Sequence, residues 1–141
     1  MSDDLKKIAS FIEQHHVMSL ATQSKGEISV CSLFYVYHKA LQIFIIASNE
    51  ETTHIAHIKQ NQQVAGNILL ETKKVGEIKG LQFRGEFREL FDAKKKLLYF
   101  KAFPYAFAMS PKLWQIEVND FKLTDNALGF GNKLTWSRAT S

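Results

Sequence analysis

The sequence predicts an antiparallel β-barrel with peripheral helices, carried by a single domain over residues 1–141. Three observations predict it. About six stretches are rich in β-branched and aromatic residues over strand-like lengths. Two or three others repeat their apolar residues at helical spacing. The two kinds do not alternate regularly, which argues against a doubly wound parallel sheet. With 141 residues, 45% of them apolar and eleven of them Phe, the chain can bury a real core.

The elements follow in order. "SDDLKKIASFIEQHH" begins with Ser2 or Asp3 as an N-cap and repeats Leu5, Ile8, Ala9 and Ile12 on one helix face. "VMSLAT" (17–22) is a short strand, and "SKGE" turns around Gly26. Residues 28–38 and 41–48 are two strands joined tightly at Lys39 and Ala40. Thr52 or Thr53 then caps a helix with Ile55 and Ile58 on one side. Residues 64–70 form a strand, "ETKKVGE" a turn, and 78–90 a long strand. Gly80 and Gly85 inside that strand point to a bulge or a close approach. Asp92 caps a helix over 93–102 that Pro104 ends. Residues 113–123 form the sixth strand.

Composition excludes several function classes. The net charge of +4 and pI near 9.2 are only mildly basic. Lys94, Lys95 and Lys96 read as a solvated helix face, so no nucleic-acid partner is expected. Cys31 is the single cysteine and is expected to be a buried structural thiol. "MSDDLKK" is too polar for a signal peptide, and the longest apolar run, Ile43–Ala47, is too short to span a bilayer. A cytoplasmic protein without a membrane partner is expected. His54 and His57 lie three apart on a helix but lack further ligands, so no metal is expected. The sequence holds no GxSxG, P-loop or GxGxxG motif.

Two places are suited to a ligand. The start of the helix after residue 48 presents free N–H groups beside Ser48, Thr52, Thr53 and His54, a plausible phosphate cradle. Ordinary capping explains a lone Thr there without any ligand, and spacing alone favours it. In "IKGLQFRGEF", alternation puts Gly80, Gln82 and Arg84 on one face and Leu81, Phe83 and Phe87 on the other. The first face can hydrogen-bond the edge of a planar heterocycle, or simply meet solvent. Near the end, "TDNALGFGNKLTW" packs Asp, Asn, two glycines and two aromatics into thirteen residues, unlike a frayed tail.

These motifs together resemble the pyridoxamine 5′-phosphate oxidase-like family of flavin-binding split barrels, and more closely a small bacterial branch of it. "LFYVY", "TTHIAHI", "VAGNI", "IKGLQFRGEF", "FPYAFA" and "WQIEVNDFKLTDNALGFGNKLTW" carry the likeness, which runs from about Val17 to Trp136. The resemblance implies a six-stranded antiparallel split barrel and a homodimer with FMN at the subunit interface. It places the phosphate on Ser48, Thr52, Thr53 and His54, and the flavin ring along Ser32, Phe34, Ile46, Ala47 and Gln82. The partner subunit would contribute residues around Trp114 and the C-terminal loop, where Phe130 between two glycines would act as a lid. That stretch could equally close the barrel and seal the dimer.

One departure matters. Flavin-binding members commonly neutralise the phosphate with Arg or Lys on the second strand and at the helix start. Here "SVCSLFYVYH" has neither, and the helix start offers His54. Without charge-assisted bonds phosphate binding weakens. Weak FMN binding, another ligand and an empty site all remain open. The expected function is an FMN-dependent oxidoreductase; the alternative is a non-enzymatic dimer that holds a flavin, heme or other flat ligand. No general acid or base need be supplied, because the cofactor carries the chemistry.

Overall fold

The computed structural model describes residues 2–129 and 131–138. Helix α1 (Asp3–Glu13) starts where the Ser2 hydroxyl accepts the Leu5 N–H at 3.1 Å, with Asp3 and Asp4 favourably placed in its first turn. It buries Leu5, Ile8, Ala9, Phe11 and Ile12. Strands β1 (Val17–Ser24), β2 (Glu27–Phe34), β3 (Val36–His38) and β4 (Ile43–Ala47) follow. Then come α2 (Thr53–Gln60), β5 (Gln63–Leu70) and β6 (Lys79–Glu89), α3 (Ala93–Ala102) and α4 (Pro104–Ala108), and finally β7 (Leu113–Asp125) and β8 (Lys133–Ser137).

All strands join one antiparallel sheet in the order β2-β1-β5-β6-β7-β4-β3, with β8 added beside β7. The two ends of that order, β2 and β3, are consecutive in the chain and parted only at Tyr35. The sequence reads them as one strand, 28–38. The structure bends that strand so that it serves both ends of a curled sheet. Tyr35 is buried at the bend, and its hydroxyl donates to the Ile12 carbonyl at 2.6 Å. Counting β2 and β3 as one bent strand and setting β8 apart gives the six strands of a split barrel.

Alternation along each strand fills the interior. Met18, Leu20, Phe44, Ile46, Ile68, Leu81, Phe83, Phe87, Ile116, Val118 and Phe121 form the main core, closed by Ile55 and Ile58 of α2 and the apolar face of α1. Strand β4 is buried on both faces, which explains its unbroken apolar run. Phe44 and Ile46 face the main core, while Ile43 and Ile45 join Leu90, Tyr99 and Leu113 beneath α3 and α4.

Local chemistry sets the ends. Thr52, not Thr53, caps α2, accepting the Ile55 N–H at 3.4 Å. Asp92 accepts the Lys94 and Lys95 N–H groups at the start of α3. Pro104 does not only end α3; it occupies the first turn of α4, where a missing N–H costs nothing. The expected irregularity in the long strand falls between Arg84 and Gly85, where Asn119 of β7 is the extra residue. A side chain at Gly85 would run into the Glu117 backbone, whereas one at Gly80 would meet only Leu69 at 3.5 Å. Cys31 is half-buried, and burial raises its thiol pKa, consistent with an unreactive thiol.

The C-terminal stretch is a hairpin. The Asp125 carboxylate takes the Ala127 N–H at 2.9 Å. The Asn126 side chain accepts the Gly131 N–H at 2.9 Å and donates to the Val75 carbonyl at 2.9 Å. Gly129 and Gly131 have φ of 128° and 74°, values that disfavour residues with a side chain. The returning strand, β8, packs Leu134 and Trp136 against the main core, with Trp136 5.7 Å from Phe121. Arg138 donates to the Val118, Leu41 and Gln42 carbonyls at 2.7, 2.9 and 3.1 Å. Residues 133–138 thus pack and hydrogen-bond as the last strand of the sheet. Phe130, expected as a lid, lies outside the described residues.

Two stability outcomes follow from this packing. A Cβ at Gly66 would sit 2.5 Å from the Phe83 ring and 2.6 Å from the Ser19 carbonyl. Gly66→Ala should therefore cost about 1–3 kcal/mol in denaturant unfolding, as overpacked cores do. Removing 128–141 should lower the melting temperature steeply, because burying Leu134 and Trp136 side chains contributes about 1.5–3 kcal/mol each. Unchanged melting would show that β8 does not seal the sheet.

Candidate functional site

The outward faces of the strands carry the candidate site. Pairing register aligns one residue from each of six strands: Ser32, Ser19, Asn67, Gln82, Lys122 and Thr135. Each lies between two residues that point inward, as at Leu81, Phe83, Phe121 and Leu123. The result is a continuous hydrogen-bonding row across the sheet, roughly 24 Å long at the usual strand spacing. Its flanks are different. On one side lie Val30, Ala21 and Ala65, then the Arg84–Asp120 ion pair at 2.9 Å. On the other lie Phe34, Val17, Leu69 and Gly80.

An open groove of about 1410 Å³ follows this surface, lined among others by Ser19, Ala21, Ala65, Asn67, Gln82 and Lys122. Its lining mixes small residues, Ala21, Ala65 and Gly66, with the larger Phe83, Arg84, Phe121 and Trp136. The face beside it is apolar and uncovered: Ile28 is 77% exposed, Val30 69% and Phe34 57%. Phe34 meets the helical layer at Phe103, their rings 5.6 Å apart.

The sequence-predicted residues divide into three groups. Ser32 and Gln82 share the polar row, and Phe34 flanks it. Ser48, Thr52 and His54 meet at the start of α2. Ser48 Oγ lies 2.6 Å from His54 Nε2, and Thr52 Oγ1 lies 3.3 Å from the same nitrogen. Thr53 is exposed in the first helical turn. Ile46 and Trp114 are buried in the main core. The Trp114 indole donates to the Ser48 carbonyl at 2.9 Å, so it braces the loop before α2 from below. Ala47 is half-buried at the end of β4.

Two features limit the α2 cradle. Its groups already hydrogen-bond one another, and His54 is not a ready cation. Burial, followed by the charge of neighbouring His57, holds the His54 pKa below its ordinary value. Nearby cations exist that sequence spacing did not reveal. Lys59 and Lys112 both pair with Glu50, Lys59 at 3.5 Å, and Lys112 also meets Glu89 at 3.1 Å. Glu50 and Glu89 together offset the two charges. His57 is engaged elsewhere, 2.9 Å from the Thr22 hydroxyl and 3.4 Å from Glu27, pinning α2 to the β1–β2 hairpin.

Ser19, Asn67, Lys122 and Thr135 escaped the sequence reading. Each is an ordinary polar residue at an outward position of its strand, and only register sets them in line.

Relatives decide the family. A UPF0306 protein of Yersinia enterocolitica is 37% identical over 142 residues, covering 99% of this chain and 97% of that protein. The chain belongs to the UPF0306 family. A second UPF0306 relative, from Photorhabdus laumondii, is 32% identical over 97% of this chain and 98% of its own length. No family model matches the chain. Solved structures share the fold of this UPF0306 member at low identity. A heme binding protein from Mycobacterium smegmatis superposes with a TM-score of 0.77 at 10% identity, over 97% of this chain and 59% of that one. A FAD-binding protein from Mesorhizobium loti gives 0.69 at 17%, over 84% and 90%. A candidate pyridoxamine 5′-phosphate oxidase from Listeria innocua gives 0.69 at 15%, over 84% and 96%. The split-barrel fold expected from the motifs is thereby established.

The lowered His54 pKa has a measurable consequence. The neutral imidazole is favoured in the folded state, so the unfolded chain binds the extra proton more readily. Stability should be fully present above the ordinary His value of about 6.5 and be lost as pH falls through the folded value. His15, lowered by burial, His16 and Lys79, acts in the same direction. Urea unfolding of His54→Gln between pH 7 and 5 should show a shallower pH slope than the parent.

Proposed function

We propose that this UPF0306 protein is an FMN-binding flavoprotein oxidoreductase, working as a homodimer with the cofactor between two copies. One observation carries the reading: an uncovered apolar sheet face lies directly beside a groove lined by a row of amides and hydroxyls. A second copy packed on Val17, Ile28, Val30, Phe34 and Leu69 would cover the apolar part and roof the groove. The donor set fits a flavin ring. Asn67 and Gln82 each offer both donor and acceptor, as the edge of a fused heterocycle requires. Ser19, Ala21, Ala65 and Gly80 leave room for a flat face, which would cover about two strand gaps.

When bound, FMN supplies the electron and hydride chemistry. The chain's own residues bind and orient. Asn67 and Gln82 hold the ring edge, Ser32 extends the hydrogen-bonding row, and the apolar flank with the second copy keeps water out. Ser48, Thr52, Thr53 and His54 would contribute neutral hydrogen bonds to the phosphate. Lys59 could add charge only by leaving Glu50, and Lys112 only by leaving Glu50 and Glu89.

A second reading is a non-catalytic dimeric holder of a flavin, heme or other flat ligand. The mutual hydrogen bonds of Ser48, Thr52 and His54 favour it, because they suit a ligand without a phosphate. Among the described residues, no histidine lines the groove, which favours a flavin over an iron-ligated heme.

Light scattering should give about twice the 16.1 kDa chain mass. Titration with FMN should quench flavin fluorescence, and Gln82→Leu with Asn67→Leu should weaken binding of FMN and riboflavin alike. Thr53→Ala with His54→Ala should weaken FMN alone, by about 1–3 kcal/mol. A monomer that leaves flavin fluorescence unchanged would remove the proposal; a dimer that binds riboflavin as well as FMN would support the second reading.

A further inference from the structure

Lys122 stands apart from Arg84, the other cation among the described residues lining the groove. It projects from the outward side of β7, between Gln82 on β6 and Thr135 on β8. It is half-buried and lines the groove. The neighbouring cation on this face, Arg84, has a carboxylate partner in Asp120 at 2.9 Å. Lys122 makes no ion pair among the described residues. Roofing the groove with a second copy would remove water from this ammonium. Desolvating an unpaired charge is unfavourable unless a counter-charge arrives with the ligand.

The position of Lys122 says where that counter-charge must lie. It is one strand along from the Gln82 amide and two from Asn67, in the same row. A ring whose edge is read by those amides would extend its next polar atoms toward the Lys122 ammonium. We infer that Lys122 is the charge-selecting residue of this groove, favouring a flat heterocycle with an anionic edge over the neutral form of the same ring. The inference rests on the flavin reading above. Oxidised flavin has a neutral ring. Taking up two electrons and one proton leaves one negative charge on its pyrimidine edge. Lys122 would therefore tighten binding of reduced over oxidised flavin.

Riboflavin is the probe, because it has the ring without the phosphate. Affinities are measured anaerobically for riboflavin as supplied and for riboflavin reduced with dithionite. The full-length parent should bind the reduced form about tenfold or more tightly than the oxidised form, the scale of a hydrogen bond to a charged group. Lys122→Met, which keeps the aliphatic stem, should abolish that preference, whatever it does to the affinity for oxidised riboflavin. Lys122→Arg should retain it, and thermal melts should confirm that both variants fold.

Two results would overturn the inference alone. One is parental binding of both forms with a ratio that Lys122→Met leaves unchanged. The other is a Lys122→Met defect confined to FMN, which would put the ammonium on the phosphate. Failure of the parent to bind riboflavin or FMN in either redox state would overturn the flavin reading and this inference with it.

Discussion

Everything in this molecule depends on the bend at Tyr35. An antiparallel sheet with two free edges exposes unpaired backbone on both sides. Here the same chain segment supplies both terminal strands, β2 before the bend and β3 after it. The curl that results creates an interior for Phe44, Phe83 and Phe121 and an exterior of fixed curvature. Tyr35 stabilises the bend by burying its ring, 5.3 Å from Phe44, and by tying its hydroxyl to α1. The first helix, the barrel interior and the strand break are therefore one construction.

The outer face follows from the inner one. Period-two alternation means that each inward aromatic imposes an outward neighbour. The interior row Leu20, Gly66, Phe83, Phe121 and Trp136 is closely packed, with Gly66 making room for Phe83. Beside it, displaced by one residue, runs the polar row from Ser32 to Thr135. Packing of the core thus sets the register with which the candidate site is displayed. This also explains why β8 matters although it is short. It adds Trp136 to the inner row and Thr135 to the outer one, and Arg138 anchors its end to the turn before β4.

The loop before α2 has a different character. Trp114 supports it from the core, Thr52 caps the helix, and Glu50 gathers Lys59 and Lys112. Its hydrogen bonds and charges are largely satisfied within the chain. The outer groove, by contrast, presents amides and hydroxyls next to exposed aliphatic surface. Of the two places that the sequence singles out for a ligand, the strand face has the geometry of a recognition surface. The helix start has the geometry of a well-capped loop.

What the sequence by itself determined is local. Ser2, Thr52 and Asp92 announce helix starts because a capping side chain acts on N–H groups two or three residues away. Alternation in "IKGLQFRGEF" separates Phe83 from Gln82 because a strand has period two, and Gly85 marks the irregularity because no side chain fits there. The C-terminal motif announces an ordered segment through its Asp, Asn and glycines, although its role as a returning strand was not legible. Tertiary structure decided what distant segments do to one another. It split 28–38 at Tyr35, withdrew Ile46 and Trp114 into the core, and lowered the pKa of His54 by burial. It also set Ser19, Asn67, Lys122 and Thr135 in line with Ser32 and Gln82. Those four residues carry no local signal, because strand register is set by pairing and packing between segments far apart in the chain.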